Sequence, residues 1–327
     1  MFFMKRRHLI FSLLPGALFN SCVQKKDSEK GELTYPFEIT TTVGMIADVT
    51  REIAREHAEV FNIIGEGIDP HSYNATKGDI DRLNTSDLIL YNGLHLEGKM
   101  GQVLESQKKE GVAVHAVSED LLGSDYEIIG GSEASDPHVW MDVKAWTLVV
   151  KEITAQLVAF DPKNAADYQA NFKSYQAKLI DLDSQARRCF GSIPEKNRVL
   201  VTAHDAFSYL GRAYGIDVRG IQGISTESEA GLKGVNNLIN YLVSENIPAV
   251  FVESSVSDKS VKAIVEGARA QGKNVRIGGE LFSDAMGQAG TYRGTYIGMI
   301  DHNVTTITRA LGGYIPAQGI YGKLSKH

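Results

Sequence analysis

The sequence contains the tripeptide Asp-Pro-His twice, in Gly67-Ile68-Asp69-Pro70-His71-Ser72-Tyr73 and again in Asp136-Pro137-His138-Val139-Trp140. A proline fixes its own φ angle and favours an extended conformation in the residue before it, so each histidine is presented from a stiff loop. Stiff placement is what a metal site requires. One such histidine would be weak support, because imidazole is also an ordinary surface or core group. Two in matched tripeptides predict that His71 and His138 are metal ligands, with Asp69 and Asp136 holding the loops through local hydrogen bonds.

Around these repeats, short β-branched segments alternate with longer amphipathic ones. The predicted strands are 37–43, 59–64, 88–92, 112–117, 198–202, 217–220, 249–252 and 274–277. The predicted helices outside the centre of the chain are 45–56, 77–83, 101–109, 143–160, 206–214, 231–246, 258–271 and 292–311, and Asp142 is expected to cap the one at 143–160. Strands that alternate with helices predict βαβ units and an α/β fold with parallel sheets.

The segment 161–190 predicts one unusually long helix. Its apolar positions are spaced alternately by four and three residues, and they are Tyr168, Phe172, Tyr175, Leu179, Leu182, Ala186 and Cys189. A helix of about 28 residues is roughly 42 Å long, which exceeds one small domain. We interpret it as a backbone helix that links two α/β domains, at 37–160 and 191–313; a coiled-coil arm is the alternative. The tail at 314–327 has no clear pattern and is assigned no role.

The N-terminus has the parts of a secretory signal. A basic Lys5-Arg6-Arg7 precedes an apolar stretch that is shorter than the about 20 residues needed to span a bilayer, and Cys22 follows a small residue. This pattern predicts a lipoprotein signal peptide at 1–21, lipidation of Cys22 and a flexible polar tether at 22–36. A signal that is simply cleaved, or retained as an anchor, is the alternative. All three possibilities place the protein outside the cytoplasm. In the predicted one, a lipid on Cys22 attaches it to the membrane.

Composition narrows the class of protein. The 327 residues are 43% hydrophobic and 23% charged, as expected of a globular protein long enough for two domains. The net charge of -6 argues against nucleic acid as a partner. With Cys22 lipidated, only Cys189 remains, so no intrachain disulfide is expected.

Other metal-binding side chains follow the predicted strands. In parallel sheets, ligands bind beyond the carboxyl ends of the strands. His71 and His138 follow strand ends in the first half of the chain, and His204 and Asp284 follow strand ends in the second. If the two domains face each other across the linking helix, three imidazoles and one carboxylate converge in the cleft between them, a complete ligand set for a first-row divalent metal ion.

Two further residues are weaker candidates for a place at the site. His95 also follows a strand end, and Glu253 directly follows the strand at 249–252. Both are kept as weaker candidates that would support the ligands rather than bind the metal. His115 lies within a predicted strand and is expected to be packed.

The motifs resemble those of a known family, the TroA-like (cluster A) metal-binding solute-binding lipoproteins of ABC importers. The matching stretches are 67–73, 87–93, 136–142, 201–207, 221–226 and 278–287. The resemblance implies two α/β domains joined by one long helix, with the metal between them on His71, His138, His204 and Asp284. It also implies a periplasmic, monomeric protein whose partners are a cognate ABC permease and its ATPase.

Two sequence features bear on the metal without deciding it. The loop between His115 and His138 lacks the histidine-rich insertion of many dedicated zinc-capture members, and His204 stands where members regarded as manganese-dedicated usually have glutamate. Zinc, manganese and iron all stay open. The leading hypothesis is a non-catalytic receptor that captures a divalent cation and delivers it to the permease. The alternatives are a metallohydrolase with Glu253 as general base and a metal-stabilised adhesin.

Overall fold

A four-stranded parallel sheet occupies the first half of the chain in the computed structural model, which describes residues 33–130, 135–228 and 231–324. Its strands are β1 (Phe37–Thr41), β2 (Ala58–Asn62), β3 (Leu88–Tyr91) and β4 (Ala113–Ala116), in the spatial order β2-β1-β3-β4. The helices of this half are α1 (Gly44–Ala54), α2 (Lys77–Thr85) and α3 (Gly101–Lys109). Ile39 of the central strand pairs with Val60 on one side and Leu88 on the other, and it is fully buried.

Two long helices follow this sheet, α4 (Val143–Phe160) and α5 (Ala165–Gly191). The side chain of Asp142 accepts a hydrogen bond from the backbone N–H of Lys144 at 2.9 Å, which confirms the predicted cap of α4. The predicted start of the long helix at 161 is wrong, because Pro162–Asn164 form a separate 3-10 turn. Helix α5 still has 27 residues, about 40 Å at 1.5 Å per residue.

The predicted apolar face of α5 is buried except at Phe172, which is half-buried. This face packs against α1, α4 and a helix near the end of the chain, α9 (Tyr296–Ala310). Helix α5 is therefore not a free coiled-coil arm. The chain from Tyr35 onward forms one compact unit, and the domain bounds 37–160, 161–190 and 191–313 stay a prediction.

The second half is also α/β. Strand β5 (Val199–Thr202) pairs in parallel with β6 (Asp217–Gly220), β7 (Ala249–Glu253) pairs in parallel with β8 (Arg276–Leu281), and β5 lies beside β7. The helices are α6 (Ser208–Tyr214), α7 (Leu232–Ser244) and α8 (Lys259–Ala270), followed by α9. Buried aliphatic side chains from β5, β7, α7 and α8, among them Val201, Val250, Leu242 and Ile264, form one core cluster.

The predicted end of the last strand at 277 is wrong, since β8 continues to Leu281. Gly278 and Gly279 suggest a break, but they lie inside the strand. A Cβ on Gly278 would lie 2.7 Å from the ring of Phe251, and Gly279 has a φ of 146°, so close packing and backbone geometry both require glycine there. The longer strand brings the chain to within three residues of Asp284.

The tail, which the sequence left without a role, packs across α5 and α9 in its described part. The backbone N–H of Ile320 donates to Oδ1 of the buried Asp301 at 2.7 Å, and the hydroxyl of Tyr321 donates to Oδ2 of Asp181 at 2.7 Å. Leu324 is buried. The tail therefore donates hydrogen bonds to the buried carboxylate of Asp301 on α9, which would otherwise have fewer hydrogen-bond partners.

The signal peptide 1–21 and the lipidated Cys22 lie outside the described residues, as does the tether as far as residue 32. Within the described ranges, no helix is both long and apolar enough to cross a membrane.

The side chain of Asp48 on α1 connects the first half of the chain to α9 by a hydrogen bond. Its ionisation is expected to make the free energy of unfolding depend on pH. It accepts a hydrogen bond from the backbone N–H of Tyr296, the first residue of α9, at 2.8 Å. Burial raises the pKa of Asp48 to about 6, against the opposing effect of the Tyr296 N–H and with a further contribution from Glu52. Because the folded protein holds this proton more tightly than the unfolded chain, the free energy of unfolding falls as pH rises from about 4 to about 6.

We therefore expect Asp48→Asn to remove on the order of 1–3 kcal/mol of this pH-dependent loss of stability, since Asn keeps the acceptor but cannot ionise. Urea unfolding of the metal-free protein at pH 4.5 and 6.5 measures it. Asp81→Asn, at an exposed position of α2, is the control for the loss of one carboxylate. Equal pH dependence in the wild type and Asp48→Asn would contradict the prediction.

Candidate metal centre

The two Asp-Pro-His loops are each held by their own aspartate. Asp69 accepts hydrogen bonds from the backbone N–H of His71 at 2.9 Å and from the hydroxyl of Ser72 at 2.8 Å. Oδ1 of Asp136 accepts from the backbone N–H of His138 at 2.9 Å and lies 2.7 Å from its ring Nδ1. The predicted local hydrogen bonds are confirmed, and the second one also fixes the orientation of an imidazole ring.

The other two residues lie just beyond strands of the second half. His204 follows β5, and Glu253 at the end of β7 holds it, with Oε1 accepting from the backbone N–H at 2.8 Å and Oε2 lying 2.6 Å from Nδ1. Asp284 follows β8, and Ser255 donates to its Oδ2 at 3.2 Å. The adjacent Ser283 accepts a hydrogen bond from the Trp140 indole at 2.8 Å, which ties this segment to the second Asp-Pro-His loop.

The structure brings all four predicted residues together. Nε2 of His138 lies 3.3 Å from Nε2 of His71 and 3.1 Å from Oδ1 of Asp284, while Nε2 of His204 lies 3.3 Å from Oδ2 of Asp284. The four residues are buried, with exposed fractions of 3% for His71, 0% for His138 and His204 and 1% for Asp284. Four atoms that bind one zinc ion tetrahedrally at about 2.0–2.1 Å lie about 3.4 Å apart, so these separations fit a single ion.

Buried charges determine how the site titrates. Burial by itself lowers the pKa of His138, but the carboxylates of Asp136 and Asp284 outweigh it and raise that pKa to about 9. Burial likewise opposes charge on His204, but Asp284 and Glu253 raise its pKa well above the usual value. Burial alone would raise the pKa of Asp284, yet His204 and His138 hold it well below its usual range. The metal-free site is thus a buried ionic network around one ionised carboxylate.

Two buried atoms of this network have no hydrogen-bond partner among the described residues. They are Nε2 of His204 and Oδ1 of Asp284. Each lies beside a neighbouring candidate ligand without forming a hydrogen bond. Because buried polar atoms are nearly always hydrogen-bonded, two such atoms where four potential ligands converge indicate where a cation would bind. Three imidazole nitrogens and a carboxylate suit a first-row divalent ion.

His71 differs from its three neighbours. Burial lowers its pKa to about 4, with Asp284 opposing the shift. It also lines a cavity of about 270 Å³ together with His95, Pro137, Ser225 and three other residues. The ring of His95 is exposed, and its backbone has a φ of 66° directly after Leu94 at 52°, two consecutive non-glycine residues in the left-handed region. His95 is not one of the four converging residues, and it lies beside the site at this cavity.

Hydrogen bonds that the sequence does not predict connect the two halves of the chain around the site. Tyr209 donates its hydroxyl to the backbone oxygen of Asp136 at 2.9 Å, and Thr226 donates to Oδ2 of Asp69 at 2.6 Å. Together with the Trp140 indole, they link each Asp-Pro-His loop to the second half of the chain. Each bond joins residues more than 70 positions apart, so no local pattern could reveal it.

The chain is similar to known metal-binding proteins in sequence and in fold. The chain is 45% identical over 288 residues to the manganese-binding lipoprotein MntA of Bacillus subtilis, covering 87% of this chain and 93% of MntA. Among solved structures, the periplasmic zinc-binding protein TroA of Treponema pallidum matches with a TM-score of 0.80 and 46% identity, over 84% of this chain and 98% of TroA. The Fe(III)-bound YtgA of Chlamydia trachomatis matches with a TM-score of 0.78 and 29% identity, over 85% of this chain and 99% of YtgA.

The match to TroA confirms the predicted α/β fold of two domains with a long connecting helix. The family model described as zinc-uptake complex component A, periplasmic (ZnuA), matches residues 39–310. The predicted resemblance to the TroA-like proteins is confirmed, and the chain belongs to this ZnuA family of periplasmic metal-uptake components.

Proposed function

We propose that the protein captures one divalent transition-metal ion outside the cytoplasm with His71, His138, His204 and Asp284, and delivers it to an ABC permease powered by an ATPase. The observation that carries this proposal is the convergence of four buried donor atoms at separations that fit one ion. The membership in a family of metal-uptake components supports the transport role. The protein catalyses no reaction in this scheme, because the ion is its cargo.

The metal is zinc, manganese or iron. Relatives are named for each: TroA for zinc, MntA for manganese and YtgA for bound Fe(III). Three nitrogen donors and one carboxylate favour zinc over manganese by the general affinity order of divalent metals. That order makes zinc the strongest competitor at equilibrium, whichever ion is carried in the cell.

A metallohydrolase is disfavoured by the position of Glu253. A general base must face a water molecule at an open coordination position. Both carboxylate oxygens of Glu253 are instead engaged with His204, one on the backbone and one on the ring. We infer that Glu253 orients a ligand. The adhesin hypothesis stays a prediction.

We infer that the protein is a monomer anchored to the membrane through a lipid on Cys22, with residues 22–36 as the tether. Relatives named as lipoproteins support the anchor. In this arrangement the domains proposed at 37–160 and 191–313 enclose the ion, and helix α5 sets their spacing.

We also infer that the ion reaches the site through the cavity that His71 and His95 share. Three of the four proposed ligands are 0–1% exposed, whereas His71 lines this cavity. His95, exposed and in a strained backbone conformation, lies where an ion would pass before it meets His71.

Removal of one ligand tests the assignment. His138→Ala should weaken metal binding by more than the about 10–100-fold typical of losing a residue that only orients a ligand. Elemental analysis of protein purified without added metal, followed by competition between zinc and manganese, measures occupancy and affinity. His57→Ala is the control, because His57 pairs with Asp167 on α5 and should leave affinity unchanged. Equal affinities of the two variants would refute the ligand set.

Glu253→Gln tests the support of His204. The amide keeps the shape but loses the charge that holds Nδ1, so zinc affinity should fall about 10–100-fold while the fold persists. Isothermal titration with Zn²⁺ measures this change. Glu280→Gln, at an exposed position of β8, provides the matched control. A zinc affinity equal to that of the control would show that the carboxylate has no role.

His95→Gln tests the access route. An access residue changes how fast the ion arrives and leaves, so the association and dissociation rate constants should both fall while the equilibrium affinity changes little. Stopped-flow mixing with Zn²⁺ gives both constants, and His57→Gln serves as control. A large loss of affinity with unchanged association would make His95 a ligand instead.

A further inference from the structure

A second group of metal-binding side chains lies apart from the four residues described above. Nε2 of His115 lies 3.2 Å from Oδ2 of Asp120 and 3.1 Å from Oε1 of Glu152. The expectation that His115 is simply packed within its strand is wrong: its side chain is 26% exposed, and it faces two carboxylates. This cluster has no residue in common with the first site.

Three separate elements build the cluster. His115 lies on β4, an edge strand of the first sheet, Asp120 lies in the 3-10 turn Glu119–Gly123, and Glu152 lies on α4. The 3-10 turn packs against α4, which brings Asp120 and Glu152 to the same nitrogen. One turn further along α4, Gln156 donates to Oε1 of Glu152 at 2.6 Å and holds that carboxylate in place.

The charge of the cluster favours a cation. Within the described part of the chain, neither Asp120 nor Glu152 forms an ion pair with a lysine or arginine, and His115 is the basic group that both contact. The cluster therefore has a net charge of about -2 with neutral imidazole and about -1 with the protonated ring, so even protonation leaves negative charge uncompensated. A divalent cation would neutralise the former state completely.

The donor atoms also suit a metal ion. Imidazole nitrogen and carboxylate oxygen both bind zinc, and a zinc ion with three protein ligands can complete its tetrahedron with water. Ligand atoms around such an ion lie about 3.4 Å apart, close to the two separations from His115. The side chains of Asp120 and Glu152 are 54% and 23% exposed, so an ion and its water can reach the cluster from solvent.

We propose that His115, Asp120 and Glu152 form a second, solvent-accessible binding site for a divalent transition-metal ion of the zinc type. With three exposed ligands in place of four buried ones, this site binds more weakly and exchanges its ion with solvent faster than the first. The proposal goes beyond the capture of one cargo ion and does not depend on it. A site of this kind holds a rapidly exchanging ion at the surface of the first half of the chain.

The test is equilibrium dialysis of the full chain against Zn²⁺ alone, with bound zinc counted by elemental analysis. We expect two ions per wild-type chain, one bound tightly and one weakly. His115→Gln should lose the weakly bound ion and keep the tight one, and Asp120→Asn, at a more exposed position, should weaken the same ion. His138→Ala should lose the tight ion and keep the weak one.

His57→Gln is the matched control, because His57 contacts a single carboxylate, Asp167, at 3.1 Å and should retain both ions. Absence of the weakly bound ion from the wild type, or a weak ion that survives both His115→Gln and Asp120→Asn, would overturn the proposal. Loss of the weak ion in His57→Gln as well as in His115→Gln would mean non-specific binding and would also overturn it. Absence of the tight ion alone would contradict the proposed function and leave this second site standing.

Discussion

The carboxylate of Asp284, buried between the imidazoles of His138 and His204, is the interaction around which the molecule is arranged. Removing a charge from water is costly unless it is paired and hydrogen-bonded. Here one carboxylate meets two imidazoles at 3.1 and 3.3 Å, and each imidazole is backed by a further carboxylate on its other nitrogen. The chain buries this concentration of charge at one place, and the proposed binding of a metal ion in exchange for protons would account for it.

The same loops that carry the proposed ligands also connect the two halves of the chain. Trp140, two residues after His138, donates to the backbone beside Asp284, and its own backbone oxygen accepts from Tyr296 on α9 at 2.8 Å. Thr226 contacts the aspartate that holds the loop of His71. Ligand placement and the packing of the halves therefore use the same few segments, and a change in one is transmitted to the other through short, direct contacts.

The parts of this arrangement that the sequence could predict follow from one topological rule. Parallel strands end at a common edge, so His71, His138, His204 and Asp284, each placed after a strand, could be assigned to one cleft before any coordinates.

What the sequence could not supply depends on contacts between distant residues. The predicted strand stops at 277 instead of 281 because the close approach of Phe251 to Gly278 is invisible in local composition. The tail had no pattern because its role is to satisfy Asp301 by backbone donors. From the sequence, His115 is predicted to be an ordinary strand residue, because the two carboxylates that it contacts come from a later turn and a later helix.

The four residues of the main site are not equally constrained. The histidine whose ring has the fewest contacts, His71, lies on the side of the site that faces the cavity. The rings of His138 and His204 are fixed through Nδ1 by Asp136 and Glu253. Among the described residues, the ring of His71 has no such partner on Nδ1, and Asp69 holds only its backbone. Two imidazoles are thus oriented through Nδ1 before an ion arrives, whereas the third lines the cavity without such a contact. Because preorganised ligands lose little entropy on binding, the fixed side of the proposed site would supply most of the affinity. We infer that the less constrained His71 is the proposed ligand that moves to admit an ion or release it, on the side of the site that faces the cavity.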